Sequence, residues 1–300
     1  MPFGGACLTA VPLWTGDVAV GGPAFLFVSL STMFVPALAT AITLKVFPPA
    51  EGVVSATSLR LPRRGRRLAF GLAGFSYPVL AALIALPLGM TLGVADLDIP
   101  GLSGVRHFLS GQLGMPGAAE SSTATVSLSG LAAMTVFFIA GLLPCFGEEW
   151  GWRGYLMPKL LPWGLWPALL FNGLLWALWH VPLLLRGFNF DDAGVLGIVE
   201  MSVSCMLSAI ILGWLDLKSG SVWPAVIAHS ANNSFAMFIT TGIAADTSAT
   251  VDPLLTDIPV WITTAGLAAA LAATGRSTTP APGRPHPPEV ATAHTVRQEG

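Results

Sequence analysis

The chain has 300 residues, 53% of them hydrophobic and only 10% charged, with a net charge of −2 and a mean hydropathy of +0.71. A soluble domain of this length would carry about 25% charged residues, so the composition points to an all-α, polytopic membrane bundle. Three scattered cysteines, Cys7, Cys145 and Cys205, exclude a disulfide framework or a thiolate metal site, and no basic surface with interleaved aromatics suggests nucleic acid.

About seven apolar runs are long enough, or nearly so, for a helix of about 20 residues to cross the hydrocarbon. They fall near 23–45, 68–91, 127–157, 165–185, 193–215, 222–243 and 257–274. The first Lys or Arg is Lys45, so no cationic secretory leader is expected. Between the first two runs lies Arg60-Leu-Pro-Arg63-Arg64-Gly-Arg66-Arg67, a strong cytoplasmic signal. Threading seven helices from that loop puts the N-terminus outside and the C-terminus inside, in what is expected to be the cell membrane. Loop 92–126, rich in Gly and Ser, reads as an outer connection with an interfacial piece around Val105–Leu113. The third run is longer than a span needs and is expected to stop before Pro158. Residues 275–300, with five prolines, read as a disordered cytoplasmic tail. The expected organisation is two helices and an outer loop in 1–126, a catalytic helical core in 127–245, a last helix in 246–274, and the tail.

Three patches hold most of the in-membrane polarity: Glu148-Glu149-x-x-x-Arg153, Trp176-x-x-x-His180 and His229-x-x-x-Asn233. Ionisable groups in hydrocarbon cost several kcal/mol unless they face a bundle interior or a cavity. At 1.5 Å per residue, Glu148 lies about 13 Å and His180 about 21 Å above the cytoplasmic end, and His229 and Asn233 about 10 and 16 Å. Ordinary tilts of about 20° let these levels converge. Glu149 and Arg153, four apart, share a helix face and can pair. Glu148 points roughly 140° from Arg153 and is left without a cation, free to act as acid or base near neutral pH. Glu148 and His180 can hold and activate a water, and His229 and Asn233 can supply donors for a tetrahedral oxyanion.

These patches carry a resemblance. Glu148-Glu149-Trp-Gly-Trp-Arg153-Gly-Tyr-Leu, Trp176-Ala-Leu-Trp-His180-Val-Pro and Trp223-Pro-Ala-Val-Ile-Ala-His229-Ser-Ala-Asn232-Asn233 resemble the CPBP intramembrane proteases. That family includes type II CAAX prenyl endopeptidases and Abi-type bacteriocin-immunity proteins. The likeness covers about residues 127–245. It implies a helical membrane fold with a cytosol-facing catalytic cavity. It also implies peptide-bond hydrolysis by water activated on Glu148 and His180, with His229 and Asn233 at the oxyanion. One departure is Trp176, where many relatives carry Phe.

Plainer roles exist for the same residues. The glutamates could be a solvated helix end, His180 a core histidine, and His229 and Asn233 glue between helices. Glu200 and Asn172 are read as interhelical polar residues without an assigned role. Glu148, His180 and His229 could also form a three-ligand zinc site. The absence of His-Glu-x-x-His and the poor ligand Asn233 favour the metal-free reading, with no cofactor. The expected partners are the lipid bilayer and a membrane-associated peptide or protein substrate, CAAX-like and prenylated or a small peptide. The rivals are a non-catalytic scaffold or immunity protein, and a transporter, for which no inverted repeat is visible.

Overall fold

A computed structural model describes residues 2–16, 18–19, 22–94, 96–187, 194–242 and 253–273. The expected tail 275–300 lies outside them. Every element among the described residues is helical. Among the described residues, five helices are long and apolar enough to cross a membrane, which makes this a multi-pass membrane protein. The first is Pro23–Val46, made of α2 (Pro23–Thr32) and α3 (Val35–Val46) around a turn at Met33–Phe34. Next come α4 (Arg64–Thr91) and α5 (Thr123–Glu149), the latter prolonged to Trp163. The other two are α6 (Leu165–Leu184) and α7 (Val195–Ser219).

The remaining two expected runs are helical as well. One is α8 (Trp223–Ala231), which continues through a π-helical segment, Asn232–Ala236, into Met237–Gly242. His229, Ser230, Asn232, Asn233 and Ser234 interrupt its apolar run. The other is α9 (Pro253–Ala273), a helix of 21 residues.

Two features differ from the expectations. An N-terminal helix, α1 (Pro2–Thr15), precedes the first span and packs on α2 and α6 through Ala6, Ala10 and Leu13. Its small residues give a weak hydrophobic signal, so only the neighbouring surfaces define it. The third helix also runs past Pro158. Beyond Glu149 it widens into a π-helical segment, Trp150–Leu156, and returns to α winding over Met157–Leu160. Pro158 stands in the first turn of that last piece, where a missing N–H is tolerated. The chain turns only at Gly164, which has φ of +102° and so needs a residue without a Cβ.

The interior is built around three contacts. α6 lies along α7, α8 packs into the space between α4 and α5, and α3 runs against α5 and the π turn that follows it. Trp152, Trp176, Trp179, Leu184, Cys205, Leu212 and Leu215 form the main core, so the motif tryptophans are packing residues as well as site walls. The outward face of α5 shows Leu128, Leu131, Val136, Ile139 and Leu143, the side suited to lipid. At the α6–α7 crossing, a Cβ on Gly173 would sit 2.6 Å from the Met206 Cα and 2.9 Å from the Cys205 carbonyl. Small residues of this kind let two membrane helices approach closely.

This packing predicts that Gly173→Ala destabilises the protein by about 1–3 kcal/mol, because backbone atoms cannot rotate out of the way. Gly266→Ala on α9, where the added Cβ meets nothing within 4 Å, should leave stability unchanged. Thermal unfolding in detergent of both variants checks the pair.

Candidate active site

The end of α5 is wedged from three sides. Gly151 lies so close to α3 that a Cβ there would meet the Pro36 Cβ at 2.5 Å, which seats the π turn on that helix. Phe146 stacks on Trp150 at 5.7 Å and on Trp223 at 5.1 Å, tying the end of α5 to the start of α8. The start of α8 is held again by the loop after α3: Val222 N–H donates to the Ser58 carbonyl, and the Trp223 indole donates to the Leu59 carbonyl. Asn172 of α6 donates to the Trp152 carbonyl at 2.9 Å, the interhelical role expected of it. These contacts bring the second and third patches to the first.

Glu149 and Arg153 are both completely buried and pair at 2.9 Å. The same Glu149 Oε1 meets His229 Nδ1 at 2.9 Å. Arg153 therefore does not act alone on Glu149, as the four-residue spacing implied. His229 completes a three-member network from two helices. An ionised carboxylate only accepts, so His229 Nδ1 carries the proton and leaves Nε2 as the atom available to a ligand.

Glu148, 2% exposed, has no place in that pair. Its Oε2 accepts from the Trp176 indole N–H at 2.6 Å, which leaves Oε1 as its other acceptor. His180 Nδ1 lies 2.9 Å from the Trp176 carbonyl. A carbonyl only accepts, so Nδ1–H donates and the Nε2 lone pair is the basic atom of the neutral ring. His180 is also edge-on to Trp179 at 4.7 Å. Four of the predicted site residues, Glu148, Arg153, His180 and His229, thus surround Trp176, and Glu149 joins them through Arg153 and His229.

Asn233 is placed differently. It lies in the π segment after α8, it is exposed, and its amide faces Cys145 Sγ at 4.0 Å, one turn before Glu148. The sequence spacing put Asn233 and His229 on one face, whereas the protein buries His229 and leaves Asn233 at the surface. Cys145 is buried. Glu200 is buried in α7 with Asp257 of α9 as an electrostatic neighbour, away from this cluster. Sequence reasoning named Trp176 only as part of the second motif. Its four-residue spacing from His180 was visible, but the hydrogen bond to Glu148, 28 positions away, was not.

Glu148, His180 and His229 are the residues a zinc ion would use. Among the described residues, no three or more His, Cys, Asp or Glu side chains are grouped so as to hold a metal.

Residues 130–235 match the family model described as type II CAAX prenyl endopeptidase, Rce1-like. That stretch is similar to the family and spans about a third of the chain. The matched stretch contains all of Glu148, Glu149, Arg153, Trp176, His180, His229 and Asn233. It agrees with the resemblance drawn from the three motifs, and the family is by its description one of endopeptidases. No curated protein matches the chain. Two π segments begin within three residues after a site residue, Trp150–Leu156 after Glu149 and Asn232–Ala236 after His229. π turns inside α-helices are frequent at functional sites.

The buried pair predicts a specific stability effect. Arg153→Met should destabilise the protein by about 3–5 kcal/mol, since it strands a buried carboxylate. Adding Glu149→Gln should recover part of the loss. Thermal midpoints of the single and double variants decide this, and an Arg153→Met protein as stable as wild type would contradict it.

Proposed function

We propose that the protein is an intramembrane endopeptidase that hydrolyses a peptide bond of a membrane-associated substrate with water activated by Glu148 and His180. The observation that supports this best is the buried Glu148 held by the indole N–H of Trp176, whose carbonyl faces the His180 ring, inside a stretch similar to an endopeptidase family. Glu148 Oε1 and His180 Nε2 are both acceptors. Together they can bind the two hydrogens of one water and turn its oxygen lone pair toward a carbonyl carbon.

In this reading the carboxylate of Glu148 takes a proton from the water as its oxygen bonds to the carbonyl carbon. The carbonyl π electrons move to oxygen and form the tetrahedral oxyanion. His229 Nε2 can donate to that oxygen when the ring is an imidazolium, because Nδ1–H is already committed to Glu149. Asn233 supplies a second donor from the exposed side of the π turn. Collapse of the intermediate breaks the C–N bond, and the proton held by Glu148 passes to the leaving amine. No metal is needed. The substrate classes that fit are a CAAX-like prenylated peptide and a small membrane peptide.

The orientation proposed is an outside N-terminus and an inside C-terminus, in the cell membrane. It is supported by the exposed Arg60, Arg63, Arg64, Arg66 and Arg67 at the start of α4 and by Arg66 donating to the Lys218 carbonyl at the end of α7. A reporter fused after residue 275 is expected in the cytosol, and its detection outside the cell would reverse the topology.

Comparison of new peptide N-termini in membranes with wild type or Glu148→Ala, at matched abundance, tests the activity. Cleavages present with wild type should fall by at least about 10²-fold in the variant. Asn233→Ala should lose about 10²–10³ in kcat if its amide donates to the oxyanion. Activity should survive treatment with chelators. Identical N-terminal profiles for wild type and Glu148→Ala would refute the proposed hydrolysis.

A further inference from the structure

One residue, through its side chain and its carbonyl, touches every ionisable group of the candidate site except Glu149. The Trp176 indole N–H donates to Glu148 Oε2 at 2.6 Å. Its own carbonyl takes the hydrogen bond from His180 Nδ1 at 2.9 Å. The Arg153 guanidinium lies over its ring, 4.2 Å from the centroid. The His229 ring meets it edge-on at 5.2 Å and 72°. We propose that Trp176 is the positioning residue of this site, holding the Glu148 carboxylate and the His180 ring in register through its indole N–H and its carbonyl. The inference rests on the hydrolytic reading above.

The reason lies in the torsions. The last torsion of a glutamate is broad and nearly two-fold, so burial alone does not choose which oxygen faces a water. A charge-assisted bond to Oε2 chooses it, and Oε1 is left as the acceptor. The same residue fixes the His180 ring so that Nε2, not Nδ1, is the basic atom. Both free atoms are therefore referred to one residue, Glu148 through the indole and His180 through the backbone carbonyl, rather than to two helices that could shift independently. The Trp176 ring is itself clamped between the Arg153 cation and the core tryptophan cluster. Phenylalanine at this position would keep a ring under Arg153 and against His229 but would have no N–H for Glu148.

The test is Trp176→Phe in the full-length protein, assayed on a membrane peptide recovered by the N-terminus comparison. The expected result is a fall in kcat of about 10²-fold, the size associated with an ångström of misplacement, with KM within about two-fold of wild type. A residue that only packed would instead lower folded protein or raise KM. A second readout needs no change at Trp176. One indole N–H resonance, assigned by its loss in Trp176→Phe, should lie downfield in wild type and move upfield in Glu148→Ala. Wild-type kcat in Trp176→Phe, or a resonance unmoved by Glu148→Ala, would overturn the positioning role while leaving the hydrolase reading intact. If wild type itself shows no Glu148-dependent cleavage, the hydrolase reading fails and the positioning role falls with it.

Discussion

Glu149 is a carboxylate with no exposed surface in the middle of an apolar bundle, and its bonds to Arg153 and His229 are what make that burial tolerable. A lone carboxylate there would cost several kcal/mol, and a lone guanidinium as much. Pairing them across one helical turn offsets part of that cost. The third member, His229, comes from another helix, so the ion pair also fixes where α8 sits against α5. The contacts of Trp223 with Phe146 and Leu59 repeat that constraint at the other end of α8.

With Glu149 committed to structure, Glu148 next to it is released for other use. Adjacent residues on a helix point about 100° apart, so one can join the ion network while the other faces α6. There it meets Trp176 rather than a cation. Two neighbouring carboxylates of identical chemistry thus acquire different environments: one closed by charge, the other held by a single neutral donor. The π turn after them changes the helical phase, and Gly151 lets that turn lie on α3. Phase, close approach and ion pairing act together at this one junction.

The apolar helices were largely legible in the sequence, because length and hydropathy are local properties and hydrocarbon tolerates few alternatives to a helix. The runs at 68–91, 165–185 and 193–215 correspond to α4, α6 and α7 with boundaries shifted by a few residues. Where local signals compete, the reading missed. Pro158 looked like a stop, yet the π turn before it lets the helix continue to Trp163. The N-terminal helix was missed because Gly4, Gly5, Ala6 and Ala10 carry little periodic hydrophobicity, and its stability comes from the surfaces of α2 and α6.

The sequence by itself determined a helical membrane protein, the three polar patches and the Glu149–Arg153 pair. Those follow from composition and from spacings of four residues on one helix, which need no knowledge of neighbours. Only the tertiary structure decided that His229 joins Glu149, that Trp176 donates to Glu148, and that Asn233 lies exposed beside Cys145. Each of these depends on how α5, α6 and α8 are rotated against one another. That rotation is set by glycine approaches, aromatic stacks and π turns that no single stretch of sequence contains.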